Sequence, residues 1–365
     1  MTVLSQSSII HRQSSIANPV SVLPLLEHLR APPARLDLCA LPSPVESHPA
    51  LARRWGADVL LIKRDDLNGH AFGGNKLRAL EWLLPAAGSS IVTMGGYGST
   101  WCAALARAGA PRGQRAYPAL FPQPWSPVVA GALSTTLRHA NPVIAGGWLA
   151  LPLALANAWR AAPRNRAISW IPAGGATALG CLGHVNAALE FAGQLRHQDV
   201  DRPDAIVVPF GSGGTAAGLL VGLWMCGWET ELCAVGVTDP WFASRRRVLS
   251  LARRTISLLR TCGHSVTPGR AGLRIIGEQL GGGYGHPTEA AVEACAVMAD
   301  AGLTLDVTYT AKACAALRGL AGSFRRLTFW HTFDQRLLSQ PMEEHPLFRE
   351  ARAHAESSWP HLKST

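Results

Sequence analysis

The sequence has no C-x-x-C pair and no cluster of cysteine with paired histidines, although eight cysteines lie at positions 39, 102, 181, 226, 233, 262, 295 and 314. Neither a zinc site nor a disulfide framework is therefore expected, and a reducing cytoplasm is the compartment that fits. No apolar stretch is long enough to cross a membrane. The best candidate, Trp148 to Trp159, contains Pro152 and Asn157 and reads as a buried segment. No acid precedes Glu27, but a single arginine before it and the lack of a cleavable apolar core argue against a transit peptide, so roughly the first thirty residues read as a frayed tail. Charge is scarce, at 16% of residues, and unbalanced, with 34 basic against 24 acidic side chains and a net of +10. The densest basic run, Arg245-Arg246-Arg247 followed by Arg253 and Arg254, has no aromatic or motif context for nucleic acid and reads as a solvated helix face.

What is present is a folded chain of 365 residues, 48% hydrophobic, long enough for two domains. Apolar runs at Val59–Ile62, Ser90–Thr93, Ala205–Val208 and Leu232–Val237 predict strands. Helical segments are predicted at Lys76–Leu84, Thr100–Ala108, Ala178–Leu195, Ala216–Cys226 and Pro287–Ala301. Their alternation predicts an α/β fold with mostly parallel sheets flanked by helices, and three of the strands run into glycine-bearing turns, where such sheets place ligands. The segment from Arg112 to Arg166, rich in proline and alanine, gives no clear pattern, and no internal repeat is apparent.

Two constellations carry chemistry. In the first, Lys63-Arg64-Asp65-Asp66-Leu67 is followed by Ala71-Phe72-Gly73-Gly74-Asn75-Lys76-Leu77-Arg78. A lysine that opens a helix behind two glycines sits where the helix dipole and neighbouring Arg78 both disfavour its charged form, which lowers its pKa toward imine chemistry. In the second, Gly211-Ser212-Gly213-Gly214-Thr215 lies between a strand and a helix. Converging N–H groups, two hydroxyls and the positive helix end suit a phosphate there, though such a loop can equally hold a nucleotide or only pack a helix tightly.

Together these motifs resemble the family of D-cysteine desulfhydrases and 1-aminocyclopropane-1-carboxylate (ACC) deaminases. Further matches follow in order: Gly95-Gly96 with Ser99, Ile171-Pro172-Ala173-Gly174-Gly175, Gly283-Tyr284-Gly285, Leu305-Asp306 with Tyr309-Thr310, Lys312, and His331-Thr332. The resemblance implies a tryptophan-synthase-β-like fold, that of fold type II enzymes of pyridoxal 5'-phosphate. It implies a larger domain of residues 1–76 and 176–365, a smaller inserted domain of residues 77–175, and a homodimer. It also implies that Lys76 holds the cofactor as a Schiff base and shuttles protons, while Gly211 to Thr215 cradle the phosphate. Ser99 would face the substrate carboxylate, Tyr284 and Tyr309 would border the substrate as acid, base or nucleophile, and Thr332 would lie near the pyridine nitrogen. Asn75 and Thr100 complete the implied cofactor contacts.

The sequence also departs from the family. Ser99-Thr100-Trp101 stands where Ser-Asn-His is usual, and Ala79 replaces a lysine that commonly assists the phosphate. His331-Thr332-Phe333-Asp334 replaces His-Thr-Gly-Gly, so a ring and a carboxylate are expected to crowd the pocket or change its charge. The resemblance implies a lyase or deaminase acting on a small amino acid. The departures leave open a biosynthetic β-replacement, racemisation or ring formation, or a protein that binds pyridoxal phosphate or an amino acid without turnover.

Overall fold

The computed structural model describes residues 21–362 apart from 22, 71 and 339. Among the described residues, ten strands fall into two sheets. In chain order they are β1 (Val45–Ser47), β2 (Val59–Arg64), β3 (Ser90–Gly96), β4 (Arg115–Phe121), β5 (Val143–Ile144), β6 (Ile168–Trp170), β7 (Ala205–Phe210), β8 (Glu231–Gly236), β9 (Gly272–Ile276) and β10 (Arg326–His331). The larger sheet has six strands in the order β1-β2-β10-β7-β8-β9, and the smaller has four in the order β5-β4-β3-β6. Every pairing is parallel except β1 with β2.

Side chains alternate across the central strands because successive residues of a strand face opposite sides. Ile206, Val208, Leu232 and Ala234 enter one core with the helices Ala178–His197, Gly214–Met225 and Arg245–Thr261. Ala205, Val207, Cys233 and Val235 enter another with Glu289–Asp300 and Thr310–Leu320. Both faces are thus covered, as continuous apolar runs in a parallel sheet require. A third core, around the smaller sheet, joins the helices Lys76–Ala86, Thr100–Gly109 and Pro127–His139 to Phe348 and Ala351 of the C-terminal helix Pro346–Ser358. Phe348 is buried there, a contribution of roughly 1.5–3 kcal/mol that ties the chain end to this layer.

Two expectations need correction. The stretch read as frayed does not reach residue thirty, because Pro24–His28 is helical and Leu25 is fully buried in the first core; residues 1–20, on which the rest of that expectation falls, lie outside the described residues. The Trp148–Trp159 segment is not a buried one. Its helix, Leu151–Ala161, buries only Leu151, Ala154 and Ala158, and leaves Leu153 and Trp159 exposed, because a single sheet face is available to it. Among the described residues, no helix is long and apolar enough to cross a membrane.

Candidate active site

A cavity of about 540 Å³ opens where the carboxyl ends of β3, β4, β7, β8 and β10 approach one another. Residues from both sheets line it, which is where open α/β sheets place ligands. Of the residues singled out from the sequence, Lys76, Asn75, Ser99, Thr100, Gly211, Ser212, Gly213, Thr215, Tyr284, Tyr309 and Thr332 all reach its wall. Gly214 does not, since it packs instead toward Ala176.

Lys76 opens the helix Lys76–Ala86 directly behind Gly73 and Gly74, whose φ angles are +114° and +52°. Both glycines are required by geometry as well as by φ: a Cβ on Gly73 would strike the Leu77 side chain, and one on Gly74 would lie 2.7 Å from the Thr332 carbonyl oxygen. The lysine turn is thereby pressed against the end of β10. Burial lowers the Lys76 pKa to about 8, and the charge of Asp306 opposes the shift. Arg78 plays no part in it, contrary to the expectation from adjacency. Its guanidinium points the other way, into a closed ionic network beneath the site, where it donates to Asp65 at 2.7 and 2.9 Å and to Glu190 at 3.1 Å.

Lys63 completes that network, donating to Glu190 and Gln194 at 2.6 Å each. Two buried cations thus face two buried anions, and their mutual compensation is what makes the burial tolerable. Burial alone would raise the Asp65 carboxyl, but Arg78 brings it down to about 2. The Lys-Arg-Asp-Asp motif is therefore scaffold beneath the lysine turn rather than part of the cavity wall.

The second turn follows β7. Gly213, at φ +94°, caps the helix Gly214–Met225, and Asn75 Nδ2 donates to Thr215 Oγ1 at 3.1 Å, so the glycine turn and the lysine turn are in direct contact. Burial keeps His184, whose Nε2 lies 3.4 Å from the same hydroxyl, neutral with a pKa of about 3. Arg247 Nε donates to the Ser212 carbonyl at 2.7 Å, and the residue lines the cavity. The basic run is therefore only in part a solvated face: Arg245 and Arg246 are exposed, whereas the third arginine of the run fastens the turn. Nothing in the spacing of three consecutive arginines distinguishes it.

Ser99 caps the helix Thr100–Gly109, accepting from Cys102 N at 3.2 Å, and Thr100 is the first residue of that helix. Trp101 is buried beside it, with Nε1 donating to Thr93 Oγ1 at 3.0 Å. Across the cavity, Tyr284 and Tyr309 share a hydrogen bond of 2.6 Å between their hydroxyls. Burial raises both phenol pKa values, so both side chains are neutral near pH 7. Asp306 fixes the start of the Tyr309 helix, accepting from Tyr309 N at 2.8 Å and Thr310 N at 3.0 Å. Lys312 fixes the other tyrosine's loop, donating to the carbonyls of Leu280 at 2.7 Å and Gly283 at 3.2 Å.

The Phe333-Asp334 departure resolves into two different effects. Phe333 lines the cavity and narrows it. Asp334 does not reach the wall, because it is held by Arg336 Nε at 2.9 Å, and that guanidinium also donates to the carbonyls of Asp66 and Gly69. The carboxylate therefore clamps the approach to the lysine turn instead of adding charge to the pocket. Sequence reasoning also missed Phe121, Trp148, Thr238, His286 and Trp359, all of which line the cavity.

The arrangement suits a phosphorylated aldehyde. An amine of depressed pKa and an N–H-rich turn at a helix start share one cavity, in which Asn75 Oδ1 and Thr238 Oγ1 are buried without a hydrogen-bond partner among the described residues. Unpaired buried polar atoms are costly unless a ligand satisfies them.

Comparison with known proteins points the same way. A family model described as pyridoxal-phosphate dependent enzyme matches residues 36–328. D-cysteine desulfhydrases of Salmonella choleraesuis and Salmonella paratyphi B are each 33% identical over 314 residues, covering 80% of this chain and 89% of theirs. A solved structure of an ACC deaminase homologue superposes with a TM-score of 0.72 at 27% identity, covering 93% of this chain and 100% of that one. A fungal L-serine ammonia-lyase from Rhizomucor miehei shares the fold, with a TM-score of 0.57 at 14% identity over 86% of this chain and 99% of that one.

Proposed function

The chain belongs to the pyridoxal-phosphate-dependent enzymes, and from that premise we propose that it is a lyase or deaminase that converts an amino acid into ammonia and a 2-oxo acid. The observation that carries this reading is the convergence of Lys76, the Gly211–Thr215 turn and the Tyr284–Tyr309 pair on one cavity. Likeness to D-cysteine desulfhydrases and to an ACC deaminase homologue supports it.

Lys76 would hold the cofactor covalently, the Gly211–Thr215 turn would hold its phosphate, and Thr332, with Asn75 and Thr100 alongside, would flank its ring. When bound, pyridoxal phosphate supplies a sink for the electron pair released at the substrate's α-carbon. The chain supplies the rest. The start of the ten-residue helix behind Ser99 offers partial positive charge to the substrate carboxylate. Lys76 Nζ, with a pKa of about 8, takes up and returns a proton near neutral pH. The neutral Tyr284 and Tyr309 hydroxyls can protonate a leaving group, and the hydrogen bond between them lets one replenish the other. Phe333 and Trp101 limit water at the reacting atoms.

Incubation of the reconstituted protein with D-cysteine, β-chloro-D-alanine and ACC, with assay of ammonia and 2-oxo acid, tests the reading. Product from any one supports it, and none from all three overturns this form of it. Tyr284→Phe should cut kcat by about 10²–10⁴-fold while leaving the cofactor absorption in place.

The same proposal makes the protein a cytoplasmic homodimer whose residues 77–175 form the smaller of two domains. Free thiols at all eight cysteines fit the compartment, and the exposed Leu153 and Trp159 supply apolar surface that a second copy would cover. All four strands of the smaller sheet fall within 77–175. Light scattering on the eluted protein measures the assembly.

A further inference from the structure

If the substrate's amine and carboxylate lie near Lys76 and Ser99, as proposed above, its side chain is left to the remaining wall of the cavity. That wall is aromatic. Trp148 stacks on Phe121 with ring centroids 4.0 Å apart and planes inclined by 29°. Phe121 meets Tyr284 edge-on at 5.7 Å, and Tyr284 meets Tyr309 edge-on at 5.9 Å, so rings lead without a break from the paired hydroxyls to the cavity mouth. Trp148 is 50% exposed at that mouth. Trp359, at the end of the C-terminal helix, lines the same cavity and packs edge-on against His286 at 5.7 Å.

These rings are poorly matched to a three-carbon amino acid. Such a substrate would leave the outer rings facing water, where they contribute no binding, whereas a flat apolar group laid against them gains both stacking and burial. The cavity of about 540 Å³ has to hold the cofactor as well, so its volume sets no preference for the size of the side chain, and the ring lining does. Of the charged groups at the wall, Asp306 is held at the start of the Tyr309 helix, and none of Lys76, Asp239, Arg247 and Asp306 lies on the elements that carry Phe121, Trp148 and Trp359.

We propose that the substrate amino acid carries a flat apolar side chain, of the size of an aromatic ring, held against the Trp148–Phe121 stack and covered by Trp359. The inference rests on the amino-acid reading of the preceding subsection and narrows its substrate class. It also assigns a binding role to the Trp148 segment and to the chain end, neither of which belongs to the motifs that carry the family resemblance.

The test is a spectral titration of the protein reconstituted with pyridoxal phosphate, using D- and L-phenylalanine against D- and L-alanine, D-cysteine and ACC. One enantiomer of phenylalanine is expected to perturb the cofactor absorption at concentrations on the order of tenfold or more below those needed by the best of the small amino acids. In Trp148→Ala and Trp359→Ala, both changes at partly exposed positions, that ratio should shrink by about tenfold. Equal or better response to the small amino acids, or an unchanged ratio in both variants, overturns the inference. A coloured protein that answers only the small amino acids leaves the lyase reading standing, and a protein that takes up no cofactor overturns both.

Discussion

Asn75 donates from Nδ2 to Thr215 Oγ1 across 3.1 Å, joining two turns whose residues stand 140 positions apart in the chain. One turn presents the reactive amine and the other the N–H groups of a helix start, so this single bond sets the spacing between the two ends of the proposed cofactor site.

Asn75→Ala should therefore weaken pyridoxal phosphate binding by about five- to tenfold, the worth of one hydrogen bond of ~1 kcal/mol. Absorbance titration of the apo-protein measures it, and an unchanged affinity would remove the bond from the site's architecture.

The depressed pKa of Lys76 gives two pH signatures. Only the neutral amine condenses with an aldehyde, so uptake of the cofactor should slow about tenfold per unit as pH falls below about 8 and level off above it. Stability runs by linkage. The folded pKa lies below the ordinary 10.5, so the charged lysine penalises the fold fully below about 8, and the penalty fades as pH rises toward 10.5. Lys76→Met apo-protein should be the more stable in chemical denaturation at pH 7, and the advantage should vanish near pH 10.5.

Lys312 has no place on the cavity wall, yet it holds the loop of Tyr284 by two carbonyls. Lys312→Met leaves both without their buried donor, a cost of about 1–3 kcal/mol. Hydrogen exchange should rise across residues 277–286, and kcat should drop with the cofactor spectrum unaltered. A loop as protected as in the parent protein would contradict this role.

Arg247 holds the Ser212 carbonyl by Nε, and its terminal nitrogens have no hydrogen bond among the described residues. This guanidinium lines the cavity beside the glycine turn and can add positive charge there. Arg247→Ala should weaken pyridoxal phosphate by about tenfold or more and pyridoxal, which lacks the phosphate, much less. Paired titrations with the two aldehydes decide it, and an equal loss for both would assign Arg247 to the shape of the turn alone.

Much of the site was legible because its parts are short and local. Gly73-Gly74-Asn75-Lys76 and Gly211-Ser212-Gly213-Gly214-Thr215 each encode a turn and a helix start within five residues, and the strands before the second turn read as apolar runs that parallel sheets demand. What the sequence hid depends on direction. Adjacency placed Arg78 next to Lys76, but a helix turns successive side chains apart by about a quarter turn or more, and Arg78 faces Asp65 instead. Asp334 looked like a charge in the pocket until Arg336, two residues on, claimed it. The Trp148 segment has the composition of a core helix and lies at the mouth, because composition does not say which face a neighbour will cover. Trp359 offered no signal, since it lies well beyond the last recognisable motif and reaches the cavity only through the packing of Phe348 and Ala351.

The strand order of the larger sheet has a consequence for biosynthesis. β10, near the end of the chain, is inserted between β2 and β7. While the polypeptide is emerging from the ribosome, β2 can pair with β1 and β7 with β8, but the remaining edge of each must wait for residues 326–331. A nascent chain halted before that point would carry both halves of the cofactor site and no strand to join them, with two unpaired edges open to other chains.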